Sequence, residues 1–155
     1  MGMNINELGR IMRENGIVGA GGAGFPSYAK LNEKADTIIL NCAECEPLLK
    51  LHRQVLEKYA FEIMTALTAV KEATQAERVI IAVKPAYKGA VEAVKANLAS
   101  FKDISIGYLP EVYPAGDEVI TIYETTGRVV APGAIPISVG CIVYNVETML
   151  NLYFA

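Results

Sequence analysis

The chain predicts an α/β domain: a Rossmann-like open sheet of about four mostly parallel strands, flanked by helices and preceded by an amino-terminal glycine-rich loop. Three observations lead there. Apolar runs of strand length recur at 36–41, 78–83, 104–109 and 141–146. Between them, apolar residues repeat near every 3.6 positions, the period of a helix with one buried face. Ahead of the first run, Gly16, Gly19, Gly21, Gly22 and Gly24 crowd one short stretch, where a backbone free of side chains suits close approach to a ligand.

Each element has its own signal. Ile5, Leu8, Ile11 and Met12 make residues 4–14 an amphipathic helix, which Asn15 and Gly16 end. DTIILN at 36–41 reads as a strand buried on both faces, carrying Asn41 to its carboxyl edge. From His52 to about Lys71, Val55, Leu56, Tyr59, Ile63, Leu67 and Val70 keep one helical spacing, so the pattern predicts a single long helix with Arg53, Glu57, Lys58 and Glu62 on its polar face. RVIIAV at 78–83, a helix over 87–98 and ISIGYL at 104–109 repeat the unit. A helix over 117–126 follows, ended by Gly127; then come a turn-rich connector at 133–136, the strand CIVYNV at 141–146 and a last helix over 147–154.

Composition narrows the function. At 155 residues, 52% of them hydrophobic, residues 1–155 suit a single domain with a true core. A net charge of -3 without a basic block argues against a nucleic-acid surface. The sequence offers no membrane-spanning run and its start lacks the regions of a secretory signal, so the expectation is a cytoplasmic protein without direct membrane insertion. Three cysteines make an odd number for a disulfide framework.

In open sheets of this kind ligands settle beyond the carboxyl ends of the strands. The rule gathers the glycine loop, Asn41 to Pro47, Lys84-Pro85, Pro110 to Glu118, and Asn145 to Thr148 at one rim. Gly19, Gly21 and Gly24 satisfy G-x-G-x-x-G, yet helical spacing precedes them and Pro26 follows, so this is not the strand-loop-helix setting of a dinucleotide fingerprint. Their amides, with Lys30 as a nearby cation, point instead to a phosphate-bearing ligand. Phe25-Pro26 is too stiff and apolar for a mere linker. Asn41, Glu44 and Glu46 can accept hydrogen bonds from ligand hydroxyls or ring N–H groups, although acidic residues also suit a helix start. Tyr113 can line a flat ring and Glu118 can orient a polar atom, while Asn145 serves equally as a helix cap or a ligand contact.

Cys42 and Cys45 form C-x-x-C, and with Cys141 and His52 they make four conceivable zinc ligands, so a small structural zinc site stands as an alternative, as does a phosphate-binding module without redox turnover. No Ser, His and Asp constellation, H-E-x-x-H or Walker loop occurs, and no residue is assigned as catalytic.

The ordered blocks GIVGAGGAGFPSYAKL, LNCAECEP, YPAGDE, ETTGR, Gly133, Pro136 and YNVETMLN resemble the FMN-binding domain of the complex I flavoprotein subunit. They are similar also to the C subunit of Rnf electron-transport complexes and to soluble relatives of propanediol-utilisation and proline-reductase systems. The resemblance covers nearly the whole chain. It implies a domain that holds FMN, takes hydride from NADH and passes electrons to other electron-transfer subunits or domains, at a cytoplasmic site peripheral to a membrane complex. By motif position it puts Gly19, Gly21, Gly22, Gly24 and Lys30 at the FMN phosphate, and Asn41, Glu44, Tyr113, Glu118 and Asn145 around the flavin. Phe25 and Glu46 fall where nicotinamide nucleotide would enter. Ala43 departs from the complex I pattern, which carries an acidic residue there. The cysteine clusters that hold iron-sulfur centres in relatives have no counterpart here, so the chain is expected to be a fragment or one domain of a longer iron-sulfur flavoprotein, with those centres in a carboxyl-terminal segment.

Overall fold

The computed structural model describes residues 4–17, 30–42, 51–110 and 118–155. Along the chain run α1 (Ile5–Glu14), β1 (Thr37–Cys42), α2 (Leu51–Lys58), α3 (Ala60–Thr74), β2 (Arg78–Val83), α4 (Lys88–Asn97), β3 (Ile104–Tyr108), α5 (Glu118–Thr126), β4 (Cys141–Asn145) and α6 (Val146–Tyr153). The strands form one sheet in the order β3-β2-β1-β4, every pair parallel. Winding therefore proceeds outward from β1 to β3 and then returns to β1's other side.

Alternation along the strands divides the core in two. Ile38, Leu40, Cys42, Val79, Ile81, Val83, Ile104, Ile142 and Tyr144 face a large cluster completed by residues of α1, α2, α3, α4 and α6. Ile39, Ala82, Cys141 and Val143 face the other way, into a smaller cluster with Leu109, Val130 and Ile122 of α5. Among the described α-helices α5 alone covers this second face, packing on β3, β2, β1 and the short 3-10 turn at 136–139, which itself packs on β4.

Most predicted boundaries hold within a residue or two. The exception is the long helix, which is two. It breaks at Tyr59, whose φ of -121° and ψ of 32° leave the helical region, although Tyr59 N still bonds Val55 O and Ile63 N bonds Tyr59 O, both at 2.9 Å. The bend lets α2 lie against α4 while α3 packs on α6 and α1. An unbroken apolar period conceals such a bend because both halves keep their buried face toward the sheet.

The amino ends of the strands are tied by Asp36. Its backbone N–H and that of Thr37 both donate to Gly140 O, and its carbonyl accepts from Glu77 and Arg78, so β1, β2 and β4 start from one residue. Arg128, just past α5, donates from Nη1 to Asp36 Oδ1 at 2.6 Å and to Val139 O at 2.9 Å. Gly140 sits at φ +77°, and a Cβ there would lie 3.2 Å from Arg128 Nη1 and 3.3 Å from Asp36 Oδ2. The Arg128 hydrogen bond, against a burial penalty and with help from the Thr37 hydroxyl, holds the Asp36 carboxyl below its ordinary 3.8.

Because the folded pKa lies below the unfolded one, the stabilisation is complete above the unfolded value and is lost as pH falls through the folded one. The Asp36 side chain is 43% exposed, so screening keeps its worth to about 1 kcal/mol or less. Asp36→Asn should lower the urea midpoint at about pH 7, and the gap from the parent should close as pH drops toward about 2.

Candidate functional site

Residues Gly107, Ala82, Asn41 and Asn145 are consecutive partners across β3, β2, β1 and β4, so they form one row on the α5 face near the carboxyl rim. Asn41 and Asn145 stand directly opposite each other, where the winding reverses. A crevice opens at such a reversal because the connections on either side leave in opposite directions.

Lys30 reaches this place from the segment before β1. Its Nζ donates to Val143 O at 2.8 Å, two residues ahead of Asn145, and lies 3.8 Å from Glu118 Oε1 and 5.6 Å from the centroid of the Tyr144 ring. The carbonyl belongs to β4, which ends the described sheet, so the lysine occupies an acceptor on the strand edge. Glu118 is the first residue of α5, where a carboxylate is favoured by the helix dipole. Lys30 and Glu118 line a cavity of about 370 Å³ that runs along β4 past Asn32, Ile137, Cys141 and Val143. That size lies in the range of small-molecule sites, roughly 300–1,000 Å³. Asn41 and Asn145 do not line it; Asn145 lies two residues beyond Val143, which does and whose carbonyl holds Lys30.

Asn145 fulfils the capping half of its dual reading: it is the N-cap of α6, and its Oδ1 accepts from Thr148 N at 2.8 Å. Gly19, Gly21, Gly22, Gly24, Phe25, Glu44, Glu46 and Tyr113 lie outside the described residues.

The cysteines are dispersed. Cys42 ends β1 on the large-core face, whereas Cys141 opens β4 on the α5 face, partnered in register near Thr37. Five residues of strand, about 16 Å, separate their levels, so they cannot share one tetrahedral ion. Cys45 lies outside the described residues, and among those described no group of three or more metal-ligating side chains occurs. Burial pushes the Cys141 thiol up, against the pull of Arg128, so it stays protonated and unreactive. Burial likewise pushes up the Tyr144 hydroxyl.

Sequence reasoning does not single out Arg128, Asp36 or Gly107. Arg128 is visible only as the last letter of ETTGR, and its partner lies 92 residues away, a pairing that spacing does not encode.

An open parallel sheet whose winding reverses beneath paired amides is the architecture of α/β cofactor-binding domains. Within that class the chain belongs to the Nuo51 FMN-binding domain family, which residues 12–154 match. It is 43% identical over 152 residues to the cobalamin reductase PduS of Salmonella typhimurium, covering 98% of this chain and 33% of that protein. To the C subunit of the proton-translocating ferredoxin:NAD(+) oxidoreductase complex of Clostridium ljungdahlii it is 34% identical over 154 residues, covering 97% and 34%. The chain thus spans about a third of the length of the curated relatives it matches. Its fold is shared with a chain of an NAD+-reducing NiFe hydrogenase in the H2-reduced state, with a TM-score of 0.81 at 23% identity, over 97% of this chain and 30% of that one. These relatives are electron-transferring oxidoreductases by name, and the family is one of flavin domains. No described helix is long and apolar enough to cross a membrane.

The donor set fits FMN: an ammonium for its phosphate or carbonyl oxygens, two amides and a carboxylate for its hydroxyls and ring edge. Asn145 separates capping from ligand contact. Asn145→Ala should lower stability by about 1 kcal/mol through loss of the cap, whereas Asn145→Asp should keep stability because Asp caps as well as Asn. Thermal melts and flavin titrations of both variants check this, with weakened flavin binding expected in each.

Proposed function

We propose that the chain is the FMN-binding domain of an electron-transferring oxidoreductase, with NADH as hydride donor and iron-sulfur or other redox centres outside this segment as acceptors. The observation that carries the reading is the in-register pair Asn41 and Asn145 at the winding reversal, beside the Lys30–Glu118 cavity, in a chain of this family. When bound, FMN supplies a two-electron acceptor for hydride that returns its electrons one at a time.

The protein's own part is to hold and orient. The amides of Gly19, Gly21, Gly22 and Gly24 would cradle the phosphate, with Lys30 adding positive charge at the end of the same segment. Asn41 and Asn145 would grip the flavin from the strand tips, Glu44 and Glu118 would accept its N–H and O–H groups, and Tyr113 would cover part of the ring. Phe25 and Glu46 would receive the nicotinamide nucleotide over the exposed ring face. A protein nucleophile has no place in this scheme, in keeping with thiols that are buried at Cys42 and Cys141. The first relatives' names suggest two acceptor classes, a corrinoid or the ferredoxin side of an NAD-linked complex.

Reconstitution tests the proposal. Purified protein should quench added FMN fluorescence on binding, and anaerobic NADH should then bleach the absorbance near 450 nm, roughly where oxidised flavins absorb. Binding without bleaching would leave a flavin-holding module with another donor, and no binding would overturn the assignment. Gly22→Val should abolish uptake while circular dichroism shows the fold retained, because a branched side chain would fill the ligand's approach.

A further inference from the structure

Gly107 is the one glycine of the described strands, and it lies in the same cross-strand row as Asn41 and Asn145. A Cβ built on it would stand 2.8 Å from Ile80 Cγ2 and 3.0 Å from Thr125 Cγ2. Both are branch methyls attached directly to Cβ, so neither can swing aside as the tip of a long side chain would. Thr125 is held further by its hydroxyl, which donates to Thr121 O at 2.8 Å. Glycine within a strand weakens it unless something must come close, and here two neighbours do, Ile80 of β2 and Thr125 of α5.

The row has a gradient. It runs from Gly107 through Ala82 to the two asparagines, from no side chain to long polar ones. The small end lets α5 settle onto β3, and Ile122 then fills the smaller cluster over β1 and β4 beside Ile39 and Val143. Seven residues before Thr125, about 10 Å along the helix axis, the same helix presents Glu118 to Lys30 and to the cavity wall. Among the described residues the other helical element at this face is the short turn at 136–139, which packs on β4 and on α5, so on the β3 side the height of α5 above the sheet is set where Thr125 touches down.

We infer that Gly107 is a positioning residue for the cofactor site: by admitting Thr125 it sets how far α5 stands from the sheet, and thereby where Glu118 meets Lys30 at the cavity. The inference rests on the FMN reading for its ligand but not for its geometry. A methyl at Gly107 forces the helix outward or the strand inward, the kind of overpacking that is felt well beyond the contact.

The test uses three variants, with FMN dissociation constants from fluorescence quenching, visible circular dichroism of the bound flavin, and melting of the ligand-free protein. Gly107→Ala should weaken FMN binding about tenfold and alter the flavin dichroism. Thr125→Leu, which adds bulk to the same contact from the helix side, should act alike. G107A/T125S, which removes the helix-side methyl yet keeps the hydroxyl bond to Thr121 and leaves the Ile80 contact in place, should recover part of the affinity that Gly107→Ala loses, whereas no recovery would put the effect on Ile80 within the sheet and overturn the inference. Parent-like affinity in folded Gly107→Ala and Thr125→Leu would overturn the inference; if Gly107→Ala fails to fold, Thr125→Leu decides alone. If the parent takes up no FMN, the functional reading falls. Amide exchange over 118–121 in the ligand-free protein then decides the seat, with acceleration in the variants supporting it and unchanged exchange refuting it.

Discussion

The site depends on β4 coming back to pair with β1. That single parallel pairing brings residues 41 and 145, far apart in the chain, to the same level on the same face. A slip of one residue would turn Asn145 to the opposite face and carry Val143, whose carbonyl anchors Lys30, out of reach. The register is secured at the far end of the strands, where Asp36 and Gly140 share backbone hydrogen bonds and Arg128 clasps both the Asp36 carboxylate and Val139 O. One rim of the sheet is thus committed to holding alignment and the other is left for chemistry.

The chemistry left to the protein is modest in kind. The described polar groups gathered at the β1–β4 crevice include an ammonium, a carboxylate and two amides, which recognise and orient without reacting. The buried Cys141 thiol, with its raised proton affinity, is a poor nucleophile, and the lone histidine falls on the second residue of α2. This arrangement accords with a family in which the reactive centre belongs to a bound flavin.

Much of this is legible in the residues because parallel strands buried on both faces leave continuous apolar runs. RVIIAV marks β2 to the residue, and CIVYNV covers all of β4 and runs one residue into α6. The rule that ligands gather at the carboxyl rim then places Asn41, Glu118 and Asn145 in one neighbourhood, and the register bears it out for the two asparagines. Two kinds of feature stay hidden. The bend at Tyr59 is a tertiary choice between two packing partners, which a helical period cannot express. The Arg128–Asp36 clasp and the seat of Thr125 on Gly107 depend on distances between segments, so their letters carry no local sign. Lys30 reads from the sequence as a phosphate cation, yet nothing in its neighbours foretells its tether to the β4 edge.

The two faces of the sheet are unequally clad. On one, five helices share a continuous apolar interior, and disturbing any of them exposes much surface to water. On the other, among the described residues, one α-helix of nine residues and the short turn at 136–139 guard a small cluster. Breathing motions therefore cost less on the thin side, and that is the side carrying both asparagines. A molecule entering or leaving there asks the fold to part its lightest seam and leaves the thick interior dry.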